Sequence, residues 1–368
     1  MKKKKIAIIG LKGLPAFGGA ATVGENIIEQ LKDKYDFTVY AVSSHTNLKT
    51  GNYNGYKQIV FKAFFPHKLN PLYYYIVSAL HSVIFGKFNL VHVHHRDAAF
   101  IIPILKIKYK TILTVHGFGT ADLSDKWNRV KMYYNIQEKI FVKKADIITT
   151  MSMEDKNIIE QKLNVTVKYI PNGIALKRIK RVTIKSNKPY HIMFAAGRIV
   201  SFKRCDVFLS ALNKIEYKGR VVIAGDLEQS PQYKNKIMKL SERLNVTFTG
   251  LIHNKKLLMK YFANAKLFVF PSSREAMSMV LLEAASAKTP LICSSILGNK
   301  NVFNDDEALF FETDNVNDLA EKIEWALSNS KEMVKKADNA YEKLMKYYTW
   351  NRISGEYATC YDLFLAKK

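Results

Sequence analysis

The chain has 368 residues, about two domains' worth of length, and 48% of them are hydrophobic, which excludes a disordered class. Its 57 basic residues against 32 acidic ones leave a formal charge of +25 and point to an anionic partner: nucleic acid, a phosphorylated substrate or an anionic membrane. Three scattered cysteines, Cys205, Cys293 and Cys360, with no CxxC and no histidine at ligand spacing, argue against a disulfide framework and a zinc site and fit a reducing cytoplasm.

The opening MKKKKIAIIG carries too short an apolar run for a signal peptide and reads as a buried first strand, Lys5 to Ile9. The loop GLKGLPAFGG follows, with Gly10, Gly13, Gly18 and Gly19, and then Thr22 as a cap for the next helix. Bare amides at a helix start attract phosphate or a polar substrate, although a plain strand-to-helix connection explains the loop equally well. GxGxxG is absent, so this is no dinucleotide fingerprint.

Further strands are expected at Phe37 to Val42, Gln58 to Phe64, Leu90 to His94, Thr111 to His116, Asp146 to Met151 and Lys168 to Ile170, with helices at Thr22 to Leu31 and Val130 to Lys143. The apolar run Leu72 to Phe85 is interrupted by His81 and falls short of the roughly 20 residues that span a bilayer. Between Lys49 and Lys144 stand 15 basic residues against four acidic ones, and FKAFFPHKLNPLYYY mixes aromatics with lysines. Peripheral contact with an anionic membrane and a solvated basic face over a buried helix both fit.

Histidines gather at two strand ends: His92, His94 and His95 in LVHVHHRD, and His116 in ILTVHGFG. Alternation along one strand does not supply a facial metal triad, so core or rim histidines are the expectation. His116 stands apart because Gly117 and Gly119 leave room for a ligand whose hydroxyl it would meet.

Residues 173–189, basic and bracketed by prolines, read as a linker between two similar doubly wound α/β domains, 1–172 and 190–350. The second repeats the rhythm with strands at His191 to Ala195, Val221 to Ala224, Val246 to Thr249, Leu267 to Phe270 and Leu291 to Ser294. From Asn317 onward the pattern is helical, and a final helix, 351–368, is expected to pack back on the first domain.

Two strand ends of this second half carry chemistry. In AAGRIVSFKRCDVF, Arg198 and Lys203 precede a helix start, as a clamp for a diphosphate would, with solvated cations as the bland alternative. In FVFPSSREAMSMVLLEAA, Glu275 and Glu283 lie eight residues apart; on one continuous helix they would be roughly 80° and about 12 Å apart. A glycosidase pair needs about 5 to 9.5 Å across one bond, so two separate contacts on an extended ligand suit the spacing better. Ser278 as a cap would leave Glu275 in the loop, Glu283 inside the helix, and the amides of Ser278, Met279 and Val280 facing a phosphate. No Asp-x-Asp pair for a metal exists.

The motifs GLKGLPAFGG, TVHG, YIPNGI, AAGRIVSFKRCDVFLSAL, VVIAGD, FTG and REAMSMVLLEA together resemble the family 4 retaining glycosyltransferases of surface-polysaccharide type. The resemblance spans nearly the whole chain and implies the GT-B fold, two Rossmann-like domains facing a cleft. It implies Gly18 and Gly19 at that cleft, His116 facing the donor sugar, Arg198 and Lys203 on the diphosphate, Glu275 on the transferred sugar and Glu283 on the ribose. Ala276 stands where the family commonly has glycine. The expected partners are a nucleoside-diphosphate sugar as substrate and a lipid-linked or growing surface glycan as acceptor, with no metal, no cofactor and no nucleic acid. The alternatives are an epimerase or phosphorylase of the same fold, or a non-catalytic binding protein for sugar nucleotides or nucleic acid.

Overall fold

The structure, a computed structural model, describes residues 3–16, 19–64, 70–117, 139–175 and 190–365. It divides into two compact units: Met1–Asn172 together with Trp350–Lys368, and Gly173–Thr349.

The first unit runs Lys4–Ile9 (β1), Gly19–Leu31 (α1), Tyr35–Val42 (β2), Gly51–Tyr53 (β3), Tyr56–Phe61 (β4), Asn70–Phe85 (α2), Leu90–His94 (β5), Ile102–Leu105 (α3), Lys110–Val115 (β6), Ile147–Thr150 (β7), Met153–Leu163 (α4) and Val167–Tyr169 (β8). Its sheet has the order β3-β4-β2-β1-β5-β6-β7-β8, parallel throughout except for β3 against β4. Because helices cover both faces, the central strands are buried on both sides, and IAII of β1 and LVHVH of β5 lose the alternation of a half-exposed strand. Ser152 caps α4 by accepting from the Asp155 amide, and Asn164 ends it in the left-handed conformation.

One expectation changes here. Thr22 is not a cap: α1 already runs from Gly19, since the alanines before Thr22 continue a helix readily, and the Thr22 carbonyl accepts from the Asn26 side chain. The helix expected from Val130 to Lys143 lies outside the described residues up to 138; residues 139–141 are helical and Val142–Lys144 is a short 3-10 turn.

The second unit runs His191–Arg198 (β9), Cys205–Lys214 (α5), Arg220–Asp226 (β10), Pro231–Ser241 (α6), Asn245–Gly250 (β11), Lys255–Ala263 (α7), Ala265–Phe270 (β12), Met279–Ser286 (α8), Leu291–Ser294 (β13), Leu297–Lys300 (α9), Leu309–Phe311 (β14), Val316–Ser328 (α10) and Ser330–Tyr347 (α11). Its all-parallel sheet has the order β11-β10-β9-β12-β13-β14. Residues 173–175, read as linker from sequence, pair with this unit through Ile174 and the Tyr348 carbonyl.

The last helix, Trp350–Leu365 (α12), starts one residue before the sequence boundary and belongs to the first unit. It buries Trp350, Tyr357 and Tyr361, each contributing about 2 kcal/mol of apolar burial. Asp362 accepts from the Tyr35 hydroxyl at 2.7 Å and pairs with Lys34. The cysteines are all free and buried, and no helix among the described residues is long and apolar enough to cross a membrane.

Both sheets are doubly wound, and in each the winding reverses beside the first strand: between β1 and β5, and between β9 and β12. Parallel sheets bind ligands outside the carboxyl ends of strands at such reversals. The residues there decide the site.

Candidate functional site

In the second unit the reversal joins the ends of β9 and β12. After β9 the exposed Arg198 leads into a 3-10 turn, Ser201–Lys203, then Arg204 in the left-handed conformation and α5. After β12 the loop from Pro271 carries Glu275 before α8 begins. The two segments are stitched at the Phe202 carbonyl, which accepts from the Ser273 amide at 2.8 Å and from the hydroxyls of Ser272 and Ser273. Across this seam Lys203 and Glu275 form an ion pair with both side chains largely shielded from solvent. The Lys203 ammonium also lies 5.3 Å from the Phe202 ring and 5.7 Å from that of Phe270, so an aromatic floor orients it.

Ser278 takes the cap position of α8 with an extended backbone, and its hydroxyl makes no capping bond. Met279 and Val280 open the first turn. Glu275 and Glu283 therefore do not share one helix: the first is in the loop, the second in the fifth position of α8. Glu283 is 3% exposed and pairs with Lys255 at 2.7 Å.

Sequence reading missed two supports. Lys255 opens α7, whose cap Asn254 accepts from the amides of Lys256 and Leu257, and nothing local in the sequence ties it to Glu283. Gly298 of α9 lies against the Glu275 backbone so closely that an added Cβ would stand 2.1 Å from the Glu275 carbonyl oxygen. The loop is braced further by Ser294, which donates to the Ser272 carbonyl, and by Asn299, which donates to the Ser294 carbonyl.

Beside Arg198, its register partner Asp226 ends β10. The Glu228 amide and the Gln229 side chain, then the Arg198 charge, hold the Asp226 carboxyl below the usual range. A cavity of about 390 Å³ opens there, lined by Gly225, Asp226, Leu227, Phe248, Gly250 and Leu251 at the ends of β10 and β11. Its lining combines the apolar Leu227, Met238, Phe248 and Leu251 with the charged Asp226, Glu228 and Lys234.

In the first unit the reversal brings the end of β1 to the end of β5. Gly10 has φ 114°, and an added Cβ would stand 2.0 Å from the His94 carbonyl oxygen, so this position tolerates only glycine. The Tyr74 hydroxyl accepts from the Gly10 amide at 2.8 Å and donates to the Tyr40 carbonyl, which fixes the start of the glycine loop. Gly19 opens α1; Gly18 and Gly119 lie outside the described residues.

The histidines form a contiguous stack. His92 and His94 point to one face of β5 with ring centres 4.2 Å apart, and His94 Nδ1 meets Nε2 of the half-buried His116 at 3.0 Å. His92 is held by the Tyr361 hydroxyl at 2.9 Å and the Thr114 hydroxyl at 2.7 Å, and Thr114 in turn by Thr149. Burial pushes the His92 pKa down to about 3 and, with Lys12 and Arg96 opposing Asp97, that of His95 down to about 4. Burial first, and neighbouring histidines second, hold His94 and His116 well below the usual imidazole value. These are neutral rings. No group of three or more His, Cys, Asp or Glu side chains among the described residues is arranged to hold a metal ion. His94 engages Nε2 of His116, so a hydrogen bond from His116 to a ligand would come from Nδ1.

Glycosyl transferases group 1 match residues 177–343, and Glycosyltransferase Family 4 matches residues 17–178. The chain is 25% identical over 369 residues to the N,N'-diacetylbacillosaminyl-diphospho-undecaprenol alpha-1,3-N-acetylgalactosaminyltransferase of Campylobacter jejuni, covering 91% of this chain and 93% of that one. It is 27% identical over 255 residues to a 41.2 kDa protein in the cps region of Klebsiella pneumoniae, covering 64% and 68%. Its fold is similar to that of sucrose-phosphate synthase from Thermosynechococcus elongatus, with a TM-score of 0.84 at 20% identity and full coverage of both chains. Two doubly wound parallel units of this kind are the GT-B architecture, and the chain belongs to family 4 of the glycosyltransferases.

Proposed function

We propose that the protein transfers a sugar, with retention of configuration and without a resident metal, from a nucleoside diphosphate to a lipid-linked or growing cell-surface glycan. The observation that carries this reading is the meeting of Lys203 and Glu275 at the β9/β12 reversal, in front of the α8 N-terminus. The Glu275 carboxylate is an acceptor suited to the hydroxyls of the transferred hexose or deoxyhexose. Lys203, Arg198 and the amides of Ser278, Met279 and Val280 would take the diphosphate, where negative charge grows as the glycosidic bond breaks. That stabilisation is the work a metal performs in other transferases.

Glu283 would hold the ribose hydroxyls, and the cavity beside Asp226 the base. Glu275 positions the donor and is not assigned as nucleophile or base. For His116 we keep the role the resemblance implies, a donor to a sugar hydroxyl. A lipid-linked acceptor brings the enzyme to the inner face of the cell membrane.

Incubating the chain with radiolabelled UDP-, GDP- and TDP-sugars and a lipid-diphosphate acceptor tests the reading: label should move from one donor to the acceptor. Label that stays on the nucleotide in isomerised form indicates an epimerase, and release only with added phosphate indicates a phosphorylase. The preferred donor should raise the melting temperature above the other nucleotides.

A further inference from the structure

α2 is a surface helix built inside out. Its sixteen residues, NPLYYYIVSALHSVIF, contain no Asp, Glu, Lys or Arg. The face turned to the sheet carries Asn70, Tyr74, Tyr75, Ser78, Ala79 and Ser82, rich in polar groups. Several of these are used internally: Tyr74 between Gly10 and Tyr40, and Ser82 between Ala79 and Tyr109. The face turned outward carries Leu72, Ile76, Leu80 and Ile84, exposed by 45, 38, 45 and 64%.

Steps of four residues place these side chains in one slowly turning ridge about 18 Å long. Exposed apolar residues extend it at both ends. Phe64 packs edge-on against Tyr73 at 6.0 Å, while Phe85 and Ile107 stand where Lys108 donates to the carbonyls of Val83 and Gly86. Single exposed leucines are ordinary, but a contiguous ridge of branched aliphatics marks an interaction surface.

Charge selects the occupant. No aspartate or glutamate occurs between Asp36 and Asp97, whereas Lys49, Lys57, Lys62, Lys68, Lys87 and Arg96 do. Lys62 lies 5.6 Å from the Phe64 ring, the Lys57 charge acts on His81 of α2, Lys87 is exposed just past the helix, and Lys108 closes its end. A second copy docking through the same face would set lysines against lysines. An anionic bilayer meets both demands, aliphatics below the headgroups and ammonium groups among the phosphates. At 16 residues the helix reaches about 24 Å, short of the roughly 30 Å hydrocarbon layer, so contact in the membrane plane is the available geometry.

We infer that the outward ridge of α2, Leu72, Ile76, Leu80 and Ile84, with its flanking lysines, is an interfacial anchor that beds into the surface of an anionic lipid bilayer. The inference deepens the proposed lipid-linked acceptor, yet its test needs neither donor nor acceptor. The full chain is floated with vesicles of phosphatidylcholine plus phosphatidylglycerol and with phosphatidylcholine alone. Wild type should float with the anionic vesicles and be released progressively by salt. Ile76→Glu with Leu80→Glu should lower vesicle partitioning about tenfold or more, and Lys62→Gln with Lys87→Gln about 30-fold, about fivefold for each surface charge removed. Val334→Glu, at an exposed apolar position of α11, should float as wild type.

The inference is overturned if the Ile76/Leu80 variant melts like wild type and floats like it. It is also overturned if wild type ignores both vesicles and sediments as a dimer that this variant dissolves. Transfer to a water-soluble acceptor should persist in the ridge variants; its absence from wild type would count against the transferase reading while leaving the flotation result intact.

Discussion

The two reversal points share a topology and differ in their chemistry. In the first unit the strand ends carry histidines, threonines and tyrosines that satisfy one another: His92 between Tyr361 and Thr114, Thr114 on Thr149, His94 on His116. In the second unit they carry full charges at the rim, Arg198 exposed, Lys203 against Glu275, Lys255 against Glu283. Burial explains the difference. Rings inside the first unit stay neutral because charging them would cost desolvation, and their hydrogen bonds hold α12 in place. At the second rim the charges persist because they are paired, Lys203 with Glu275 and Lys255 with the buried Glu283, while Arg198 stays exposed. The first network is architecture with one residue, His116, at its edge; the second is the surface we propose for the donor.

The largest effects should fall on the charged rim. Lys203→Ala and Glu275→Ala should each lower kcat/KM on the order of 10³-fold or more with the fold retained in circular dichroism; near-wild-type turnover in both would erase the contrast between the units. Gly298→Ala pushes the Glu275 carbonyl away from its place and should cost about 10²-fold in kcat, because a displacement near 1 Å is enough to spoil donor alignment. Steady-state kinetics alongside circular dichroism would separate this from unfolding.

The neutral network should respond to acid instead. His92 and His95 titrate near 3 and 4 in the fold and at about 6.5 when unfolded. The unfolded chain therefore binds protons that the fold refuses, and their stability contribution is complete above about pH 6.5 and lost as pH falls. The loss should be about 2 kcal/mol per histidine by pH 5, read from urea midpoints across that window. A flat profile would remove burial as the explanation. Glu283→Gln should raise KM for the nucleotide sugar about tenfold while kcat changes little, as expected of a contact made equally in ground and transition states. Smallest is Tyr361→Phe, which deprives His92 of one partner and should cost about 1 kcal/mol in chemical denaturation, with transfer unaffected.

Much of this molecule was legible in the chain itself. The β-branched runs at Leu90 to His94 and Leu267 to Phe270 mark buried parallel strands because both their faces are covered. Ser278 stands at the boundary before MVLLEAAS, so the local pattern leaves Glu275 in a loop and Glu283 in a helix, although the Ser278 hydroxyl makes no capping bond. The three-residue edge strands β3 and β14 were not legible because GNY and LFF contain no β-branched residue, whereas the equally short β8 lies in a Val- and Ile-flanked run. Thr22 is a misleading cap signal because the two alanines before it extend the helix back to Gly19.

What only the tertiary structure decided lies across strand ends. Lys203 and Glu275 are 72 residues apart, Lys255 and Glu283 are 28, and nothing in either segment encodes its partner. Gly10 against His94 and Gly298 against Glu275 are likewise contacts between backbones brought together by winding order. The same holds for α2: an uncharged sequence is compatible with burial on every side, and only its seat against the sheet shows hydroxyls turned inward and aliphatics outward. Local periodicity fixes which residues are strand or helix, because neighbours three or four apart dictate it. Which strand end meets which is set by the folding of the whole sheet, and that is where the chemistry of this protein is assembled.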